Sequence, residues 1–244
     1  MTELILSAVQ YKPPKGDPVI ARRELAELAE EACSRDGSRF VVFPEMATCG
    51  YVWSSREEIL PFTEQPAGET FRTLSAVAKK HAAWLVCGYA ERDGDDLYNS
   101  SMIIDDTGRL AANYRKCCLY DDDRTWAREG NTRISVITPY GMVTPGICMD
   151  ANDDGFIDYA RGTGSTVIPF CTNWIDEGLD VHEYWRKRFR GFGGAFIAAD
   201  TWGTDHGIKF YGRSAIMIGG KIVAEAPEEG NGIISAEIAL SFRN

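Results

Sequence analysis

Three strand-like runs each deliver one reactive residue. Val41-Val42-Phe43-Pro44 delivers Glu45, Ala112-Asn113-Tyr114-Arg115 delivers Lys116, and Val143-Thr144-Pro145-Gly146-Ile147 delivers Cys148. In layered α/β folds, ligands sit beyond the carboxyl ends of strands. An acid, an ammonium and a thiol at three such ends can therefore meet in one pocket. The combination makes chemical sense. A thiol attacks as its thiolate, and with a free pKa of about 8.5 it is mostly protonated near neutral pH. A neighbouring carboxylate can take the proton, and a neighbouring ammonium can hold the thiolate and then the oxyanion of a tetrahedral intermediate. Each residue also has a plainer reading. A cysteine after an apolar strand is commonly a small buried hydrophobe, and Glu45 with Lys116 can be a simple ion pair. Spacing alone leaves both readings open.

The surrounding pattern supplies the elements that must position these groups. Leu4–Gln10 is an apolar strand. Asp17-Pro18 reads as an N-cap followed by proline at the first helical position. Leu25, Leu28, Ala29 and Ala32 recur at helical spacing, so a helix runs to about Cys33. Arg39–Phe43 is a compact strand stopped by Pro44, and a long loop then runs from Glu45 through Trp53. Phe71, Leu74, Val77 and Ala78 mark a second helix, and Trp84–Tyr89 the next strand. Leu97–Ile104 and Leu110–Arg115 flank the turn Asp105-Asp106-Thr107-Gly108. Ile134–Thr138 and Met142–Cys148 flank Pro139-Tyr140-Gly141 in the same way. A helix over Asp154–Arg161, a strand Thr166–Ile168, a helix near His182–Phe192, a strand Phe196–Ala199 and three terminal strand pieces complete the chain. Helices alternating with strands and hairpins predict a mixed, layered α/β fold, expected as a single domain over residues 1–244.

The motifs around the three reactive residues resemble those of a known family. Phe43-Pro44-Glu45, Tyr114-Arg115-Lys116 and Gly146-Ile147-Cys148-Met149-Asp150 are similar, in order and spacing, to the three signatures of the nitrilase, or carbon–nitrogen hydrolase, superfamily. Asn173-Trp174 and Tyr211-Gly212-Arg213-Ser214 agree with it, and the resemblance covers about residues 3–240. It implies a four-layer α-β-β-α sandwich that forms a homodimer, and no cofactor. It also implies a Glu–Lys–Cys triad: Glu45 as general base, Lys116 as oxyanion stabiliser, Cys148 as nucleophile, with the Met149 backbone N–H as second oxyanion donor. Many members carry a second glutamate after the lysine. The matching residue here is Asp123, read either as that second acid or as part of a solvated run, Asp121-Asp122-Asp123. The expected activity is an amidase acting on a small-molecule amide. Met149-Asp150 after the nucleophile resembles amide-cleaving branches, and N-carbamoyl compounds and peptide amides are the alternatives.

Substrate-binding candidates are Asn173 and Trp174, which form the Asn-Trp signature, and Tyr51 and Trp53, which follow Glu45 closely. Asp153 and Asp154 suit an amine-bearing substrate, whereas Arg128 or Arg190 suits a carboxylate; the sequence does not rank them. Two departures from the family pattern bear on the substrate: Ala151-Asn152-Asp153-Asp154 after the nucleophile, and glycines at Gly193 and Gly194.

Composition narrows the remaining classes. The chain has 244 residues, with 36 acidic against 26 basic residues and a net charge of −10. That balance argues against a nucleic-acid partner, which needs a basic surplus or stripe. No apolar run approaches the roughly 20 residues of a membrane span. The opening residues lack a basic n-region, and seven cysteines without a C-x-x-C pattern read as reduced thiols, so a cytoplasmic protein is expected. Three scattered histidines make no metal site. Asp150-Ala-Asn152-Asp-Asp154-Gly155 opens like a calcium loop, but its twelfth position is Arg161, not a bidentate glutamate.

Overall fold

The structure, a computed structural model, describes residues 2–240. The first half supplies β1 (Thr2–Gln10), α1 (Pro18–Arg35), β2 (Phe40–Val42), a short α2 (Arg56–Ile59), α3 (Glu69–His81), β3 (Trp84–Asp93), β4 (Asp96–Ile104) and β5 (Leu110–Arg115). The second half supplies β6 (Val136–Thr138), β7 (Gly141–Val143), β8 (Gly146–Ile147), α4 (Asp154–Gly162), β9 (Val167–Thr172), α5 (Val181–Arg188) and β10 (Ala195–Asp200). It closes with β11 (Trp202–Asp205), β12 (Ile208–Tyr211), β13 (Ala215–Ile218), β14 (Lys221–Glu225) and β15 (Gly232–Leu240).

Two sheets result. One has the order β15-β1-β2-β3-β4-β5, and the other β14-β13-β10-β9-β7-β6 with β8 beside β9. The parallel pairs β1–β2, β2–β3, β8–β9 and β9–β10 lie at the centre of each sheet, and antiparallel strands flank them. Side chains alternate across the strands, and each sheet is apolar on both faces. Leu4, Leu6 and Ala8 of β1, Phe40 and Val42 of β2, and Ile197 of β10 meet between the sheets. The opposite residues of the first sheet, such as Val9 and Val41, pack under α1 and α3. In the second sheet, Ile168 and Phe170 pack under Phe156 of α4 and Trp185 of α5. The layers are therefore α-β-β-α. Each fully buried side chain of the size of Leu6 or Phe40 stabilises this stack by roughly 1.5–3 kcal/mol.

Helix α1 begins where its residues predict: the Asp17 side chain accepts a hydrogen bond from the Ile20 N–H at 3.0 Å, and Pro18 occupies the first turn. Four expectations are corrected. Strand β9 continues past Ile168 through Pro169 to Thr172, because β10 pairs with it along its whole length. Helix α5 ends at Arg188 rather than near Phe192; the chain leaves helical geometry at Phe189 and turns at Gly191, whose φ is +81°. Five strands, not three, follow β10, because residues 202–211 form a hairpin of their own. The run from Met142 to Cys148 is also broken into β7 and β8 at Thr144-Pro145. No helix among the described residues is long and apolar enough to cross a membrane.

Candidate active site

Glu45 lies just beyond β2 and is pressed against β3. A Cβ at Gly88 would sit 2.5 Å from the Glu45 Cα, so only glycine lets the two backbones approach this closely. The next residue, Met46, has φ +51°. Lys116 leaves β5 with its N–H on the Asn99 carbonyl at 2.9 Å, while its own carbonyl accepts from Gly130 at 2.8 Å. Cys148 follows β8 and starts a 3-10 turn over Cys148–Asn152. It also has positive φ, +40°. Non-glycine residues held in this region cost about 1–3 kcal/mol each, and such strain gathers at functional sites. Asp150 holds the turn in place. Its Oδ2 accepts from the Ile147 N–H at 2.9 Å and the Tyr114 hydroxyl at 2.8 Å. Its Oδ1 accepts from the N–H groups of Cys117 and Cys118 at 3.2 and 3.0 Å. One carboxylate thereby ties the segment after Lys116 to the segment bearing Cys148.

The side chains converge. Lys116 Nζ lies 2.7 Å from Glu45 Oε1 and 2.6 Å from Asp123 Oδ2. Asn99 Nδ2 donates to the same two carboxylates at 2.6 and 3.1 Å. The other Glu45 oxygen accepts from the Asn173 N–H at 2.9 Å, and Asn173 Nδ2 donates to the Glu45 carbonyl at 2.9 Å. Glu45 and Lys116 have no exposed surface, Asp123 is 1% exposed and Cys148 7%. Burial raises the Glu45 pKa above its ordinary value; Lys116 opposes the rise and the Asp123 charge adds to it. Burial would lower Lys116, but Asp123 and Glu45 together hold it well above the usual lysine range. The Cys148 thiol is pushed well up by burial and by Glu45, against the pull of Lys116. At rest the site pairs a neutral thiol with a fixed ammonium and a carboxyl of raised proton affinity.

The carbon-nitrogen hydrolase profile matches residues 5–243 of this chain. The chain belongs to the carbon–nitrogen hydrolase family. A probable nitrilase of Schizosaccharomyces pombe is 29% identical, with 96% of this chain and 88% of that protein covered. A protein N-terminal amidase of the same yeast is 24% identical, over 86% of this chain and 89% of that protein. Among solved structures, Saccharomyces cerevisiae Nit3, a member of branch 10 of the nitrilase superfamily, superposes with a TM-score of 0.87 at 25% identity. That match covers 96% of this chain and 89% of the other. The four-layer arrangement of this carbon–nitrogen hydrolase is thus the nitrilase fold.

In this carbon–nitrogen hydrolase a cavity of about 80 Å³ opens over Cys148 and Met149, walled by Tyr51, Tyr120 and Trp174 and carrying Asn152, Asn173 and Glu177 as polar groups. Of the residues that the sequence analysis offers for substrate contact, Tyr51, Asn173 and Trp174 line this cavity. Trp53 does not line this cavity. Its indole N–H donates to the Gly50 carbonyl at 2.8 Å and its ring stacks on Phe62, so it packs the loop after Glu45. The Asp121–Asp123 run divides: Asp121 is exposed, Asp122 half-buried and Asp123 buried against Lys116. The solvated-loop reading of Asp123 is therefore corrected. A larger cavity of about 500 Å³ does not reach Cys148, although Tyr51 and Asn173 line both.

Four residues outside the sequence-based candidates shape the site: Asn99, Asp150, Asp200 and Tyr120. Asp150 carried a signal, because it belongs to the Cys-Met-Asp motif. Asp200 carried none. It ends β10, is fully buried, and accepts the Trp174 N–H at 3.0 Å, which fixes the corner that bonds Glu45. Burial drives its pKa well above the carboxylate range. The seven cysteines are all free thiols, Cys117 and Cys118 included.

Proposed function

We propose that this carbon–nitrogen hydrolase is a cysteine-dependent amidase that cleaves a small-molecule amide through a thioester. The observation that carries the reading is the buried Lys116 ammonium, 2.7 Å from Glu45 and 2.6 Å from Asp123, with Lys116 and Glu45 both near enough to Cys148 for their charges to act on its thiol. The thiol is neutral at rest, so the base must act as the substrate arrives. Glu45 takes the Sγ proton while sulfur attacks the amide carbon. Lys116 and the Met149 N–H, at the start of a turn where N–H groups lack intrahelical partners, hold the oxyanion. A donor of this kind is worth about 10²–10³ in rate. Glu45 returns its proton to the leaving nitrogen, which departs as ammonia or an amine. A water deprotonated by Glu45 then adds to the thioester, and collapse releases the carboxylic acid and restores the thiol. Asp123 keeps Lys116 charged and aimed.

Amide cleavage is preferred to nitrile hydrolysis because Cys148 is followed by Met149-Asp150 and because a protein N-terminal amidase is among the chain's relatives. That relative also favours a peptide N-terminal amide as the second reading. The test is ammonia release, with intact-mass detection of an acyl adduct, from wild type and Cys148→Ala given small amides, N-carbamoyl amines, nitriles and peptide amides. The expected result is turnover and a transient adduct on wild type alone. Amide hydrolysis that survives Cys148→Ala rejects the mechanism.

A further inference from the structure

The charges around the Cys148 cavity bear on what enters it. The residues considered from the sequence for substrate charge stand elsewhere. Asp153 caps α4 through the Gly155 N–H and pairs with Arg133, and Asp154 pairs with Arg188 at 2.9 Å. Arg128 pairs with Asp96, and Arg190 lines a separate surface cleft with Lys187 and Lys221. Among the described residues no Lys, Arg or His lines the cavity over Cys148, and the one formal charge lining it is Glu177. Glu177 is exposed and has no ion-pair partner among the described residues, although its neighbour Asp176 is bound by Lys209 at 3.1 Å. A second acceptor is also free. Asn173 spends its N–H and Nδ2 on Glu45, while its Oδ1, on a residue 2% exposed, has no hydrogen-bond partner. An unpaired buried acceptor is costly unless a ligand or water supplies a donor. The walls are the rings of Tyr51, Tyr120 and Trp174, whose faces attract cations.

We propose that the substrate is an amide or carbamoyl compound whose acyl side carries an ammonium group, and that Glu177 receives that group while the carbonyl sits at Cys148. The cavity is lined by a carboxylate and aromatic side chains, and no cation among the described residues lines it to receive an anionic substituent. A substrate carboxylate there would meet Glu177 unscreened. This assignment rests on the amidase reading above for its reaction, but not for its charge preference.

The test uses three amides of one length on the intact chain: 4-aminobutanamide, pentanamide, and the monoamide of glutaric acid. Wild type is expected to favour the ammonium compound over pentanamide by about tenfold or more in kcat/KM, the scale of one charge-assisted hydrogen bond, with the carboxylate compound slowest. Glu177→Gln narrows the ratio of the first two toward one, and Glu177→Lys reverses the order of the charged pair. In parallel, alkylation of Cys148 by ammonium-bearing, neutral and carboxylate-bearing chloroacetamides is followed by mass, each rate divided by its rate with a small thiol. A preference for the ammonium reagent that Glu177→Gln removes supports the assignment even if none of the amides turns over, in which case the amidase reading fails alone. Hydrolysis of all three amides at similar rates overturns the assignment and leaves the amidase reading standing. Absence of charge preference in both assays, or preference for the carboxylate compounds, also overturns it.

Discussion

Two buried carboxyl sites of this molecule are neutralised in different ways. Around Lys116, two carboxylates, Glu45 and Asp123, share one ammonium. At Asp150, one carboxylate is met by three backbone N–H groups and a tyrosine hydroxyl, with no ion-pair partner among the described residues. Burial raises both Glu45 and Asp150, the latter to about 6. The difference lies in what opposes burial. Glu45 is balanced by the full charges of neighbouring side chains, so its proton affinity responds to every change in the charge beside it. Asp150 is balanced by fixed dipoles of the main chain, so what it governs is where Ile147 and Cys117 sit. Under the proposed mechanism the first site exchanges a proton, while the second holds a shape.

Three substitutions sharpen or break this comparison. Glu45→Gln removes the proton acceptor while keeping the shape, and kcat/KM is expected to fall by about 10²–10⁴ in a protein that stays folded by circular dichroism; a loss of only a few-fold would dissolve the distinction. Asp123→Asn has a smaller effect on rate, about tenfold, and a characteristic one on pH. The Asp123 charge raises the Glu45 pKa, so its removal lowers that pKa. The acid limb of kcat/KM then moves to lower pH, and a limb that stays in place shows that Asp123 is only structural. Asp150→Asn has the smallest effect on rate. Its amide nitrogen cannot accept the N–H groups that one carboxylate oxygen now takes, so urea unfolding should show a loss of about 1–3 kcal/mol with the pH profile unmoved. A shifted profile would mean that Asp150 also takes part in proton exchange.

Features set by local sequence were legible before the structure. The turn at Asp105–Gly108 is one: Asp105 bonds the N–H groups of Thr107 and Arg109, Gly108 supplies φ +81°, and the flanking strands lie close to their predicted bounds. The strand-end residues Glu45, Lys116 and Cys148 were legible for the same reason, since short apolar runs mark where strands stop. Features set by remote partners were not. Pro169 reads as a strand breaker, yet it lies inside β9 in register with Ile197. The 202–211 hairpin turns through His206 and Gly207, both with positive φ, between strands with little apolar alternation. Asp123 and Asp121 look alike in a run of three; only the fold buries one against Lys116. Asp200 is indistinguishable from a surface aspartate until β9 is laid beside β10.

Glu45, Asn99 and Lys116 come from strands, or strand ends, of the first sheet, Cys148 and Asn173 from strand ends of the second, and the two Asn173–Glu45 hydrogen bonds cross the seam between them. The reacting groups therefore act as a gauge of how the sheets are seated. A slip of one sheet over the other by a fraction of an ångström parts thiol from base while every ladder within each sheet remains paired. If the proposed triad acts as described, catalysis belongs to the joint, and loosening of the joint is expected to abolish it before either half unravels.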